Sequence, residues 1–332
     1  MAARCKFVVV NYRLILFWII FASLRVFAQS ALDEVHIMPP KIITSDSAAN
    51  LRSTGPAIKK SVELVLVPVT ITDNMNRLIT GLDKGNFKVY ENKREQQIQH
   101  FSNEDLPVSI GIILDTSGSM NTKIERAKEA VKAFCKNANP QDEYFLITFA
   151  DQPNIAAEFT SDPEEFQRQL AYAVPHGRTA LLDAIYLGLA KMRKAKQAKR
   201  ALLIISDGGD NRSRYTEHEI VSQVKESDVT VYALGIYDHT FPTAEEFLGP
   251  ALLSDIARVS GGRAFSVDDP NDLPTIATMV GQELRNQYVL GYRPENMPRD
   301  GKWHKIRVKL LVPHGLRFLS IHARVGYYAP KQ

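Results

Sequence analysis

Ile110 to Met120 reads IGIILDTSGSM, and this stretch predicts the fold of the central part of the chain. Its first five residues form a continuous apolar run, which is typical of a buried strand in a parallel sheet. The run ends in a polar turn in which Asp115, Ser117 and Ser119 occupy every second position. Ligands of open α/β sheets sit just outside the carboxyl ends of strands, so this oxygen-rich turn is a candidate site for a hard cation.

Strand and helix patterns alternate through residues 105–283. The predicted strands are Val108–Leu114, Tyr144–Phe149, Ala201–Ser206, Val229–Gly235 and Arg263–Val267. The predicted helices are Lys123–Asn137, Glu164–Ala173, Leu181–Lys194, Glu217–Ser227, Leu252–Val259 and Leu273–Leu284. This alternation predicts a doubly wound, Rossmann-like α/β fold, with a mostly parallel sheet and helices on both faces.

Two β-rich segments, residues 58–104 and 284–332, flank the α/β region. In the second segment the predicted strands are Tyr288–Tyr292, Lys305–Leu311, Leu316–Ile321 and Ala323–Tyr328. The strands of the first segment are too few to close a core by themselves. We therefore predict that the two segments pair into one small β-sandwich, with the α/β domain of residues 105–283 inserted between them.

The first 28 residues have the pattern of a secretory signal peptide. Arg4, Lys6 and Arg13 precede a mostly apolar run, and Ala28 provides a small residue for cleavage. The alternative is an uncleaved membrane anchor, although Arg25 interrupts the apolar run that a span requires. Residues 29–57 contain Pro39-Pro40 and no sustained periodicity, so they predict a linker. We expect a secreted or periplasmic bacterial protein without a membrane span after cleavage.

The charge and the cysteine content of the chain argue against nucleic-acid binding and against a role for a disulfide or a nucleophilic cysteine. The formal net charge is +4, and the signal segment holds four basic residues and no acidic ones, so the remaining chain is close to neutral. A neutral chain does not predict nucleic-acid binding. Of the two cysteines, Cys5 belongs to the signal segment, which leaves Cys135 without an intrachain disulfide partner. Its helical, apolar surroundings predict a buried small side chain rather than a nucleophile.

Two further loops carry polar residues next to predicted strands or helices, as the first loop does. Residues 177–184 read GRTALLDA and lead into a helix, and residues 206–211 read SDGGDN and follow the strand ALLIIS. Together with Asp-x-Ser-x-Ser, Thr179 and Asp207 resemble the metal-ion-dependent adhesion site of the von Willebrand factor type A domain. The flanking segments ELRNQYVLGYRP and RVGYYAP are similar to a secreted bacterial family that carries such a domain.

The resemblance implies a metal site made of Asp115, Ser117, Ser119, Thr179 and Asp207. Hydroxyl and carboxylate oxygens suit Mg²⁺, with Mn²⁺ or Ca²⁺ as alternatives. Neutral hydroxyl ligands leave the cation under-neutralised, so it would take a Glu or Asp carboxylate from a partner protein. The serines could instead cap the next helix. We expect Asp210 and Asn211 to be turn residues rather than ligands, Asp151 to be a solvated loop residue rather than a neighbour of the site, and Arg178 to be exposed rather than to steer acidic partners. Asp183 could either steady Thr179 or lie as a charge on the helix surface.

The residues do not predict a catalyst. The chain lacks a Gly-x-Gly-x-x-Gly loop, a Walker-type lysine and a Gly-x-Ser-x-Gly elbow, and Asp115-x-Ser117 lacks the second acid of aspartyl-phosphate hydrolases. His176, next to the second loop, is the candidate base to weigh. We predict a divalent-metal-dependent protein-recognition or adhesion module that is not an enzyme. The alternatives are a metal-dependent hydrolase and a structural envelope protein with a fold-stabilising metal.

Overall fold

The computed structural model describes residues 64–136, 138–237, 244–294, 299–312 and 318–331. The predicted signal peptide and linker lie outside these residues, as do residues 58–63 of the first β segment and 316–317 of a predicted strand. None of the helices in the described ranges is long and apolar enough to cross a membrane.

Strands and helices are numbered in chain order. The strands are β1 (Val65–Thr72), β2 (Phe87–Glu91), β3 (Arg94–Gln96), β4 (Ile98–Ser102), β5 (Val108–Asp115), β6 (Glu143–Phe149), β7 (Pro153–Thr160), β8 (Lys199–Ser206), β9 (Thr230–Ile236), β10 (Ala264–Val267), β11 (Tyr288–Tyr292), β12 (Trp303–Leu310), β13 (Ser320–Ala323) and β14 (Gly326–Tyr328). The helices are α1 (Ile124–Cys135), α2 (Pro163–Ala171), α3 (Leu181–Met192), α4 (Glu217–Glu226), α5 (Ala244–Ser260) and α6 (Leu273–Arg285).

The central sheet has six strands in the order β10-β9-β8-β5-β6-β7. All neighbours are parallel except β6 and β7, which are antiparallel. Strand β5 is buried along its whole length, as its continuous apolar run predicts. It lies between β8 and β6, where the strand order changes direction, and ligands of doubly wound sheets bind at such a point.

Helices cover both faces of this sheet. On one face α1, α2 and α6 enclose a core that includes Phe134 and Leu284. On the other face α3, α4 and α5 enclose a second core that includes Leu189 and Ile256. The doubly wound, mostly parallel fold predicted from the alternating pattern is therefore confirmed.

Among the C-terminal strands, β13 extends to Ala323, past the predicted end at Ile321, and β14 begins at Gly326 rather than at Ala323. Two elements of the α/β region differ further from their sequence-based prediction. Strand β7 was not predicted, because this edge strand buries only one of its residues and its longest apolar run is three residues. Helix α5 begins eight residues before the predicted start at Leu252 and contains Pro250, a residue that normally ends a helix. Both differences lie near the rim of the sheet, where packing overrides local sequence preference.

The flanking strands form two antiparallel sheets, in the orders β13-β1-β11-β4 and β14-β12-β2-β3. Strands from before and after the α/β region pair in both, with Val67 opposite Leu290 and Val89 opposite Val308. The two sheets share a core in which Val67, Val89 and Ile306 are buried. The predicted β-sandwich made from the two ends of the chain is thus confirmed, whereas the domain boundaries stay a prediction.

Candidate functional site

Three loops meet at one edge of the central sheet. The first loop follows β5, the third loop follows β8, and these parallel strands are neighbours, so both loops start at the same edge. The second loop precedes α3. The hydroxyl of Ser206 donates to Asp115 (Oγ to Oδ2 2.6 Å), which joins the first and third loops at their bases.

Asp115 organises the first loop. The backbone N–H of Ser117 donates to Asp115 Oδ1 over 2.8 Å, a local turn that holds the serine close to the carboxylate. A short 3-10 helix, Gly118–Met120, then turns the chain towards α1. As a result, the hydroxyl oxygens of Ser117 and Ser119 lie 3.0 Å apart. The alternation of polar residues in the sequence therefore places two hydroxyls side by side.

Backbone hydrogen bonds fix the second loop against the first. Gly118 N donates to Gly177 O over 3.1 Å, and His176 N donates to Thr116 O over 2.7 Å. Gly177 has a φ of +67°, and a Cβ there would come within 2.4 Å of Asp151 Oδ2. The positive φ favours glycine at this position, whereas the Asp151 carboxylate is the end of a side chain and could move aside.

The third loop is tied to the second by Asn211 and Asp210. Asn211 N donates to Thr179 O over 3.0 Å, and Thr179 N donates to Asn211 Oδ1 over 3.1 Å. Asp210 Oδ2 accepts a hydrogen bond from Leu182 N at the start of α3. Asn211 thus holds Thr179 in place, whereas Asp210 secures the start of α3.

Negative charge is concentrated in the interior of the site. Asp115 is 0% exposed and Asp207 is 1% exposed. Burial, and then the charge of Asp207, raise the pKa of Asp115 to about 7. The ammonium of Lys123 lies 3.9 Å from Asp207 Oδ2 and donates to the carbonyl of Ile236. The site therefore combines two buried carboxylates with one nearby lysine.

The five predicted residues all lie on the three interlocked loops. Thr179 is 5% exposed, and Ser117 and both aspartates are buried more deeply. Asp183 instead accepts hydrogen bonds from the backbone of Arg214 and Tyr215, so it secures the chain after the third loop. Sequence reasoning missed Ser206 and Lys123. Both make their contacts with residues far away in the chain, Asp115 and Asp207, so the sequence held no local signal for them.

The donor set fits a small, hard divalent cation. It offers carboxylate and hydroxyl oxygens, which Mg²⁺ prefers. Adjacent ligands of an octahedral ion with bonds of roughly 2.1 Å lie about 3.0 Å apart, and Ser117 Oγ and Ser119 Oγ are separated by 3.0 Å. Within the described ranges no group of three or more His, Cys, Asp and Glu side chains is placed to hold a metal.

Residues 110–209 match the von Willebrand factor type A domain family. The chain contains a von Willebrand factor type A domain. The predicted resemblance is thereby confirmed, and the matched residues include the first and second loops and Asp207. Two curated relatives are inter-alpha-trypsin inhibitor heavy chain 4 of Mus musculus, 27% identical over 45% of this chain, and heavy chain H4 of Homo sapiens, 22% identical over 57%. The alignments cover 18% and 22% of these relatives, so this chain spans about a fifth of their length.

Solved structures are similar to parts of this chain. A von Willebrand factor type A protein from Catenulispora acidiphila is 14% identical, covers 81% of this chain and 75% of its own, and has a TM-score of 0.48. An aerotolerance-related membrane protein from Bacteroides fragilis is 22% identical, covers 53% of this chain and 98% of its own, and has a TM-score of 0.44. Because these likenesses are distant, the functional argument depends on the site itself.

Proposed function

We propose that the von Willebrand factor type A domain recognises another protein through a divalent cation held at the three loops. The proposed ligands, direct or through water, are Asp115, Ser117, Ser119, Thr179 and Asp207. The observation that carries the proposal is the pair of serine hydroxyls, 3.0 Å apart, next to a buried carboxylate at the switch point of the sheet. The cation we propose is Mg²⁺, with Mn²⁺ or Ca²⁺ as alternatives.

The bound cation would supply an electrophilic centre for an oxygen ligand. The hydroxyls of Ser117, Ser119 and Thr179 carry no charge, and both aspartates are shared with hydrogen-bond donors or with Lys123. Positive charge would therefore remain at the mouth of the site. A Glu or Asp carboxylate of a partner is the ligand that this charge favours. Metal binding and partner binding would then be coupled.

The contacts around the loops favour binding over catalysis. His176 is exposed, and its Nδ1 lies 3.0 Å from the carbonyl oxygen of Val174. A general base must instead lie within hydrogen-bond reach of the proton that it abstracts. Ser117 Oγ contacts Ser119 Oγ, so the hydroxyls pair with each other. We therefore propose a recognition module, and the signal-like pattern of residues 1–28 supports the proposal that it acts in the cell envelope or outside the cell.

Affinity capture tests this proposal. The full chain and its Asp115→Ala variant are immobilised and exposed to envelope and extracellular proteins of the native source, in Mg²⁺ and then in EDTA. We expect partners that are retained by the wild type in Mg²⁺ and lost both in EDTA and with the variant. Asp255→Ala, an exposed substitution on α5, is the matched control and should retain them. If Asp115→Ala retained the same partner proteins, or if the wild type retained them in EDTA, the proposal would be contradicted.

A further inference from the structure

Large apolar side chains are exposed in two pairs, one next to the second loop and one next to the third loop. Tyr172 and Val174 are 77% and 66% exposed, and Phe247 and Leu248 are 76% and 65% exposed. These four are among the most exposed large hydrophobic residues in the described part of the chain. Single exposed apolar residues are common on surfaces, but pairs beside a binding site indicate an interaction surface.

The first pair stands next to the second loop. Tyr172 ends α2, and Val174 follows two residues later. The carbonyl of Val174 contacts the His176 imidazole, and the backbone N–H of His176 donates to Thr116 in the first loop. The segment that carries this pair is therefore hydrogen-bonded to the loop that holds Ser117.

The second pair stands next to the third loop. Phe247 and Leu248 precede Gly249 in α5. A Cβ on Gly249 would come within 2.8 Å of the Gly208 backbone and 2.9 Å of Asp207 O, so the helix touches the loop at this point. Since no side chain separates them, α5 holds Phe247 and Leu248 at the border of the site.

Two arginines adjoin the second loop. Arg178 and Arg212 are both exposed. Arg178 precedes Thr179 in the chain, and the backbone N–H of Arg212 donates to the carbonyl oxygen of Thr179. Both guanidinium groups would attract carboxylates over several ångströms, in addition to a bound cation. Positive charge therefore adjoins the loops beside which the two apolar pairs are exposed.

We infer that the partner presents an acidic segment in which a Glu or Asp that reaches the metal is flanked on both sides by large apolar residues. This inference rests on the proposed function and specifies its ligand. The carboxylate gives metal dependence, whereas the flanking residues bury apolar surface against the two pairs and decide which acidic segments bind. Acidic segments with polar flanks would gain only the central contact.

A random peptide library displayed on phage provides the probe. It is panned against the full chain in Mg²⁺ and eluted with EDTA, and the recovered peptides are sequenced and synthesised. Their affinities are measured for the wild type, for Tyr172→Ser/Val174→Ser and for Phe247→Ser/Leu248→Ser. Met75→Ser/Phe318→Ser is the matched control, because these side chains are 68% and 81% exposed but lie in a turn and a bend next to strands of the sandwich.

We expect the eluted peptides to contain a Glu or Asp with apolar residues on both sides. Each double variant should weaken their binding at least about tenfold through loss of apolar burial, and the control should leave it unchanged. Acidic peptides with no enrichment of apolar flanks, or equal binding to the double variants, would overturn this inference and leave the proposed function standing. A library with no peptide whose retention requires Mg²⁺ would contradict both.

Discussion

Lys123 brings positive charge close to the carboxylate of Asp207 in the third loop. Its side chain is 12% exposed, its Nζ lies 3.9 Å from Asp207 Oδ2, and it donates to the carbonyl of Ile236. At this separation, the lysine attracts the carboxylate of Asp207. It would also repel a cation that enters the same loops. We therefore expect Lys123 to lower the affinity of the loops for a divalent cation.

Replacement of this lysine should tighten metal binding. For Lys123→Met we expect an affinity for Mg²⁺ about tenfold higher, since about 1.4 kcal/mol is a modest Coulomb energy for charges a few ångströms apart near a protein surface. Lys132→Met is the control, because Lys132 is an exposed residue of the same helix. Calorimetric titration of both variants measures the effect. Unchanged or weaker binding by Lys123→Met would show that the lysine does not act on the cation.

At the scale of single residues, contiguous motifs could be predicted from the sequence, and contacts between residues far apart in the chain could not. Asp115, Ser117 and Ser119 lie within five residues, so a turn at the end of a buried strand brings them together. Ser206, by contrast, bonds to Asp115 across 91 residues, and the direction of a serine hydroxyl depends on the packed sheet. Lys123 reaches Ile236 across 113 residues for the same reason. Local sequence carries no signal for such contacts.

At the scale of elements, the position of the third loop depends on α5. Gly208 has a φ of +77°, and a Cβ on it would come within 2.7 Å of the Gly249 Cα. Backbone therefore packs directly on backbone where the loop of Asp207 meets the helix. Pro250 follows at once and interrupts the helical hydrogen bonds there. A shift of α5 would therefore displace the third loop as well.

Addition of one methyl group at this contact should disturb the site. In Gly249→Ala, the Cβ would lie 2.8 Å from Gly208 backbone atoms and 2.9 Å from Asp207 O, so the loop or the helix must move. We expect a loss of about 1–3 kcal/mol in the free energy of unfolding, together with weaker Mg²⁺ binding. Denaturant unfolding and calorimetry measure the two effects.

Gly85→Ala is the control for this substitution, because its Cβ would meet nothing within 4 Å. It should leave both measurements unchanged. If Gly249→Ala binds Mg²⁺ as the wild type does, the contact between helix and loop does not position Asp207.

The long apolar strands of this region could be predicted from sequence. The start of α5 could not be predicted, because this helix begins before Pro250, and its first turns depend on packing against the third loop.

At the scale of the whole molecule, polar side chains join the α/β region to the sandwich. Gln287 Nε2 donates to Tyr232 OH in β9 and to Thr70 Oγ1 in β1. Arg263 forms a buried ion pair with Glu283 of α6 and donates to Asn76 Oδ1. The two layers could be predicted, because alternating and β-rich patterns are regional properties of the sequence. The residues that connect them could not, since each contact depends on how the layers pack.

One histidine of the sandwich should make stability depend on pH. Burial, and then the charge of Arg263, lower the pKa of His322 from 6.5 to about 4. The unfolded chain therefore takes up this proton first as pH falls, and the free energy of unfolding decreases between about pH 6.5 and pH 4. The ring also contacts Thr72 Oγ1, which links β13 to β1.

Denaturant unfolding at pH 7.5 and pH 5 measures this contribution. Since the side chain is partly exposed, we expect the wild type to lose about 1 kcal/mol more than His322→Gln between these pH values. His218→Gln, a substitution of an exposed histidine on α4, should behave as the wild type. An identical pH dependence for wild type and His322→Gln would show that the ring protonates equally in both states.

The central claim is that the three loops bind a divalent cation, and calorimetric titration of the full chain with Mg²⁺ tests it most directly. The wild type should bind one Mg²⁺, and Asp115→Ala should show no binding while its circular dichroism spectrum stays that of the folded protein. Asp255→Ala, which alters an exposed carboxylate on α5, should bind as the wild type does. Undiminished binding of Mg²⁺ by a folded Asp115→Ala variant would contradict the account.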